Sequence, residues 1–93
     1  MSTTVELTRF RAARSDELLA ARPAMLADFR SDRAGFLDAR LVRLADEEWL
    51  DIVEWRSAAD FAASRAKGAN LPGIAAFFAS IDELVSMDEG VTA

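Results

Sequence analysis

The chain has 93 residues, 52% of them hydrophobic and 29% charged, with a formal net charge of −5. That is the size of one domain with one core, and the apolar fraction is too high for a disordered acidic segment. Cys, His and Tyr are absent. Their absence excludes a disulfide scaffold, a zinc ribbon, a thiol nucleophile and every site that depends on imidazole. No metal site is expected.

The cations are ten Arg and Lys67, scattered among sixteen carboxylates. An acidic chain without a basic stripe repels phosphate, so no nucleic-acid partner is expected. Met1–Phe10 lacks the apolar core of a signal peptide. The longest uncharged run, Gly68–Ile81, is too short to span a bilayer. A soluble, cytoplasmic protein with no membrane partner is expected. Usage rich in Ala and Arg but poor in Lys points to a GC-rich bacterial genome.

In chain order, Val5–Ala12 alternates β-favouring residues and predicts a strand, with Val5 and Leu7 on one side and Thr8 and Phe10 on the other. Ser15 offers an N-cap, and Asp16 and Glu17 complement the helix dipole. Leu18, Ala21, Met25, Leu26 and Phe29 then form a helical stripe to about Arg30. Pro23 falls inside it and is expected to distort the helix without ending it. Phe36–Leu44 predicts a second strand, with Leu37, Ala39 and Leu41 opposite Phe36, Val42 and Leu44. Asp46, Glu47 and Glu48 form a charged tip, too poor in ligand spacing for a calcium loop. Trp49–Trp55 returns as a third strand. Ser57 caps a helix from Ala58 to about Lys67, which breaks at Gly68. A further helical piece starts at Pro72 and carries Ile74, Phe77, Phe78 and Ile81 on one side. Glu83–Met87 predicts the last strand, and Asp88–Ala93 a short tail.

The fold class is therefore α+β: a ferredoxin-like βαββαβ unit, a four-stranded antiparallel sheet with its helices on one face. It is one domain, 1–93, with its core at about 5–87. Strands 2 and 3 carry large apolar residues on both faces, which leaves a bare patch of Phe36 or Leu37, Leu41, Leu50 and Ile52. A homodimer packed through the sheet faces is the simplest cover. Trp49, beside the hairpin tip, is expected at that interface or as surface cover.

The segment from Leu50 to Phe61, with its Trp55-Arg56-Ser57, resembles the W-x-S segment of antibiotic biosynthesis monooxygenase domains. Gly35-Phe36-Leu37 resembles the G-F that opens their second strand, and Arg22-Pro23-Ala24-Met25 the middle of their first helix. The resemblance runs from about Val5 to Met87. It implies a dimeric α/β barrel, two such units packed sheet against sheet. It also implies oxidation of polycyclic aromatic molecules without metal or flavin, or else cleavage of haem. In the haem-degrading branch the site holds an Asn in strand 1, a Trp ending strand 3 and a His in helix 2. Trp55 matches the Trp, Thr8 stands nearest the Asn, and the region of Ser64 has no imidazole. Haem ligation by His is excluded, and no cofactor is expected.

Two functions remain. The first is a cofactor-independent monooxygenase-like protein acting on an aromatic small molecule. The second is a non-catalytic dimeric module that binds a small hydrophobic ligand. The internal base candidates are the carboxylates Asp51, Glu54 and Glu6. Asp51 shares a face with Val53 and Trp55. It reads either as a structural partner of Arg9 or Arg40, or as the catalytic base. Trp55 reads as core filling or as a pocket wall, and Phe77 and Phe78 as core or as further walls. The candidate site is Asp51 as catalytic residue, with Trp55, Thr8, Arg9, Phe77 and Phe78 as ligand-binding residues.

Overall fold

A computed structural model describes residues 2–93. The elements are β1 (Thr4–Arg11), α1 (Ser15–Asp32), β2 (Phe36–Ala45), β3 (Glu48–Trp55), α2 (Ala58–Lys67), α3 (Pro72–Ala79) and β4 (Glu83–Val91). The four strands form one antiparallel sheet in the order β2-β3-β1-β4. This is the ferredoxin-like βαββαβ arrangement, with the second helical crossover in two pieces.

Directly paired residues in an antiparallel sheet share a face, so the register sorts every side chain. Toward the helices point Thr4, Glu6, Thr8 and Phe10 of β1, opposite Trp55, Val53, Asp51 and Trp49 of β3. The alternation in β3 is strict: Trp49, Asp51, Val53 and Trp55 are all buried. Phe10, Leu18, Met25, Phe29, Trp49, Ile74 and Phe77 form the main core, and Val53, Trp55 and Phe61 a second cluster beside it.

Several elements depart from the expected pattern. Phe36 faces the helices, because the register slips between Phe36 and Asp38. The bulge turns Phe36 onto Phe29 and Trp55, at ring distances of 5.6 and 5.7 Å. Leu41 likewise packs against the helix-side core. The outer face instead carries Val5, Leu7, Val42, Leu50 and Ile52 at its centre. Trp49 is neither surface cover nor on the outer face: it is 3% exposed in the main core, with the Arg43 guanidinium 4.4 Å from its ring centroid. Ser15 is the first helical residue rather than the cap, and Arg14 precedes it without a side-chain cap bond. Asp88–Val91, expected as tail, belongs to β4. Pairing with Val5, Glu6 and Leu7 outweighs the weak strand propensity of Asp88-Glu89-Gly90. The Thr92 N–H extends this pairing to the Thr3 carbonyl at 2.9 Å.

Pro23 does not end its helix, which runs unbroken from Ser15 to Asp32. The ring has no N–H to give the Leu19 carbonyl. One turn further on, α3 crosses α1 closely. A Cβ on Gly73 would lie 2.5 Å from the Ala24 carbonyl oxygen, and the Gly73 N–H donates to Asp28 Oδ2 at 2.7 Å. Only glycine admits that approach.

Candidate active site

A cavity of about 380 Å³ lies between the helices and the part of the sheet formed by β3, β1 and β4. Phe10, Met25, Phe29, Val53 and Phe77 supply its apolar interior. Phe78, Leu84 and Met87, which are 44%, 59% and 48% exposed, form its open rim. The volume suits a molecule of two or three fused rings. The helices leave this side of the sheet thinly covered: α1 and α3 pack on each other, α1 leans on β2 and α2 on β1 and β3, while β4 is an edge strand.

Asp51 and Thr8 sit opposite each other in the sheet register, and both line this cavity, as do Phe77 and Phe78. Arg9 does not. It lies on the outer face, where its guanidinium donates to Glu48 Oε2 at 3.0 Å. The period of two decides this, since Arg9 falls between the inward-facing Thr8 and Phe10. Trp55 is not a wall either. It is 1% exposed and stacked on Phe61, with Phe29 and Phe36 edge-on against it.

Asp51 is not a free base. Arg22 of α1 grips it bidentately: Nη1 donates to Oδ2 and Nη2 to Oδ1, both at 2.8 Å. Neither expected partner is involved, because Arg9 and Arg40 both face outward. Arg22 stands one residue before Pro23 on the buried side of α1, and its guanidinium also lies 5.2 Å from the Phe77 ring centroid. A carboxylate engaged on both oxygens by a buried guanidinium is a structural group.

Glu6, a base candidate in the sequence but not counted among the site residues there, is the carboxylate inside the cavity left without an ion pair among the described residues. It lines the cavity next to Val53, and its Oε1 accepts from the Trp55 indole N–H at 3.2 Å. Burial, opposed by that hydrogen bond, raises its pKa above the ordinary 4.5, and the nearby Asp51 charge raises it further. The available signal was the face: Glu6 has the same parity as Thr8 and Phe10, so an inward Phe10 brings Glu6 inward too.

The quoted motifs have a structural basis on the neighbouring corner. Gly35 has φ +79°, and a Cβ there would run into the Asp60 carboxyl. Its carbonyl accepts from Arg56 N–H at 2.7 Å. Ser57 Oγ accepts from Asp60 N–H at 3.1 Å, and Arg56 Nε donates to Asp60 Oδ2 at 2.8 Å. Together Arg56 and Ser57 hold the Asp60 carboxyl below its usual range. Gly35 and the Arg56-Ser57 pair thus form one corner that seats Trp55 and starts α2.

Among the described residues no three His, Cys, Asp or Glu side chains gather to hold a metal ion, and no helix is long and apolar enough to cross a membrane. No family model and no curated protein matches the sequence. Solved structures do match in fold. SnoaB, a cofactor-independent oxygenase from Streptomyces nogalater, superposes with a TM-score of 0.71 at 21% identity, over 100% of this chain and 93% of that one. A structure from Bordetella bronchiseptica assigned to antibiotic biosynthesis monooxygenases gives 0.80 at 13% identity, over 97% and 96%. Another so assigned, from Chloroflexus aurantiacus, gives 0.66 at 20% identity, over 98% and 93%. This chain is a ferredoxin-like βαββαβ domain with the fold of the antibiotic biosynthesis monooxygenase-like proteins.

Proposed function

We propose that this protein is a cofactor-independent monooxygenase whose substrate is a flat aromatic molecule held in the cavity between β1, β3, β4 and the helices. The observation that carries the reading is a cavity of about 380 Å³ walled by Phe10, Phe29 and Phe77, with a carboxylate, Glu6, inside it. Apolar aromatic walls bind flat rings, and a water-poor site suits reaction of an electron-rich anion with dioxygen. The balanced reaction is a phenol plus dioxygen giving a quinone plus water. Dioxygen is the oxidant, and the substrate supplies every electron. The fold shared with a cofactor-independent oxygenase supports the same reading.

The working unit in this proposal is a homodimer joined through the outer sheet faces, as a dimeric α/β barrel. Val5, Leu7, Val42, Leu50 and Ile52 form an apolar centre there. Asp38, Arg40, Arg9, Glu48 and Glu54 surround it with charges of both signs, which suits a self-complementary interface. A second reading, a non-catalytic dimeric module that binds a small hydrophobic ligand, is favoured by the lack of His and Tyr and by the engagement of Asp51 with Arg22.

The deciding experiment is oxygen uptake by purified protein with a series of neutral two- and three-ring phenols, alongside quenching of tryptophan fluorescence. Quenching with uptake supports the enzyme. Quenching without uptake by any phenol supports the binding module, and neither signal overturns the cavity as a ligand site.

A further inference from the structure

The cavity wall carries four carboxylates and no Arg or Lys. Their circumstances differ. Asp51 is taken on both oxygens by Arg22. Asp82 stands at the rim, where Oδ2 accepts from the Ala13 N–H at 2.7 Å and Oδ1 lies 3.9 Å from Arg14. Glu83, the first residue of β4, is exposed there. Glu6 alone is both interior and free of any ion pair among the described residues. Its bonding partner is an indole N–H, a neutral donor that orients a carboxylate without consuming its charge. Trp55 in turn cannot shift, because Phe29, Phe36 and Phe61 enclose it.

The geometry points to Glu6 as the proton acceptor of the cavity, positioned by Trp55, acting on neutral ligands that carry an acidic O–H or C–H. This rests on the proposal that the cavity holds an aromatic molecule, and it names the base and the charge class of that molecule. The step is a proton transfer: the Glu6 carboxylate takes the proton, the O–H or C–H bond breaks, and its electron pair remains on the ligand as an anion. No electron leaves the pair of molecules.

The surroundings fit that task. Facing Glu6 are Asp51 on β3, Glu89 opposite it on β4, the Thr8 hydroxyl on β1 and, from α2, the more distant Arg65. Burial raises the Glu6 pKa toward that of a weak carbon or oxygen acid, which is the direction that makes a carboxylate a better base. The absence of a cation in the wall sets the charge class. The Arg22 charge is already taken by Asp51, so a ligand that arrives as an anion meets the unpaired Glu6 and Glu83 and no cation in the wall, whereas a neutral one becomes an anion only as Glu6 becomes neutral.

The test uses 2-tetralone, a neutral two-ring ketone with acidic benzylic protons, in D2O under argon so that oxidation does not intervene. Binding is read by quenching of tryptophan fluorescence, and deuterium incorporation by proton NMR. The wild-type protein is expected to accelerate exchange. Glu6→Gln is expected to keep the affinity within about threefold and to lose exchange by roughly 100-fold or more. Trp55→Phe, monitored through Trp49, is expected to move the midpoint of the exchange-rate pH profile upward, because the lost N–H bond favours the ionised acid. In competition, 2-naphthol is expected to displace 2-tetralone at least about tenfold more effectively than 2-naphthoate, a 1.4 kcal/mol preference.

Bound 2-tetralone that exchanges equally fast in wild type and Glu6→Gln overturns the assignment of Glu6 while leaving the cavity a ligand site. No binding to either protein overturns the cavity reading itself. Should Glu6→Gln fail to fold by circular dichroism, the wild-type profile decides: exchange that does not titrate above pH 4.5 removes Glu6 as the base.

Discussion

Replacing Asp51 by alanine leaves the Arg22 guanidinium buried against Phe77 without a counter-charge. Both members of the pair are about one-tenth exposed, and both hydrogen bonds are 2.8 Å long. Breaking such a pair from one side costs about 3–5 kcal/mol, because the surviving charge keeps its desolvation penalty and loses its compensation. A chain of 93 residues has a total stability of roughly 5–14 kcal/mol. The substitution therefore removes a large share, and at 4–8 °C per kcal/mol the melting temperature falls by roughly 12–40 °C. Arg22→Met alone costs a similar amount. The double variant Arg22→Met with Asp51→Leu fills the volume with apolar side chains and is expected to recover most of the loss. The assay is urea unfolding at pH 7 and one fixed protein concentration, followed by circular dichroism across the full cycle. Single losses below about 1 kcal/mol, or a double variant whose loss equals the sum of the singles, would refute the claim that these groups compensate each other.

Ile52→Arg, placed on the outer face, is expected to give a monomer by light scattering at micromolar concentration, whereas Leu41→Arg is expected to unfold the chain because Leu41 packs under the helices. Gly35→Ala combines a left-handed backbone with a methyl group driven into Asp60, and should destabilise by about 1–3 kcal/mol in thermal melts. Glu6 has a folded pKa above its unfolded value, so its ionisation opposes folding as pH rises through the folded value. Glu6→Gln is therefore expected to raise the melting temperature at pH 7 and to show no gain below pH 4, where both forms are neutral. Asp60 has the opposite sign: its lowered pKa adds stability above the unfolded value, and that contribution disappears as pH falls through the folded one. Asp60→Asn is thus expected to flatten the acid limb of the stability profile.

Periodicity made the element order and the shared face of Asp51, Val53 and Trp55 readable, and the same period of two carries Trp49 inward with them, against its expected place at the surface. It failed at Phe36. A bulge at Leu37 reverses parity for the residues before it, and nothing in Gly35-Phe36-Leu37-Asp38 announces a bulge. The grouping of four candidate residues was legible, since Thr8, Asp51, Phe77 and Phe78 all line one cavity. The partner of Asp51 was hidden, since choosing Arg22 over Arg9 or Arg40 requires the rotation of α1 over the sheet, which no local pattern in β1 or β2 encodes. Trp55 fills the core instead of lining the cavity for a related reason. Three phenylalanines from β2, α1 and α2 converge on the indole, and such convergence is visible only once the layers are stacked.

The exposed edge strand β4 is joined to the rest of the sheet by its ladder to β1 alone, a partner some eighty residues away in the chain. Closing so long a loop is entropically costly, and strands of this kind dock late and open first. The backbone amides of β4 should therefore exchange with solvent through sub-global opening, well ahead of those in β1 and β3. Leu84 and Met87 of this strand form the mouth of the cavity, so the same excursion that exposes the amides widens the entrance. A molecule seated inside would slow both. Slower hydrogen exchange across Glu83–Val91 when a ligand is added is thus the expected gauge of occupancy.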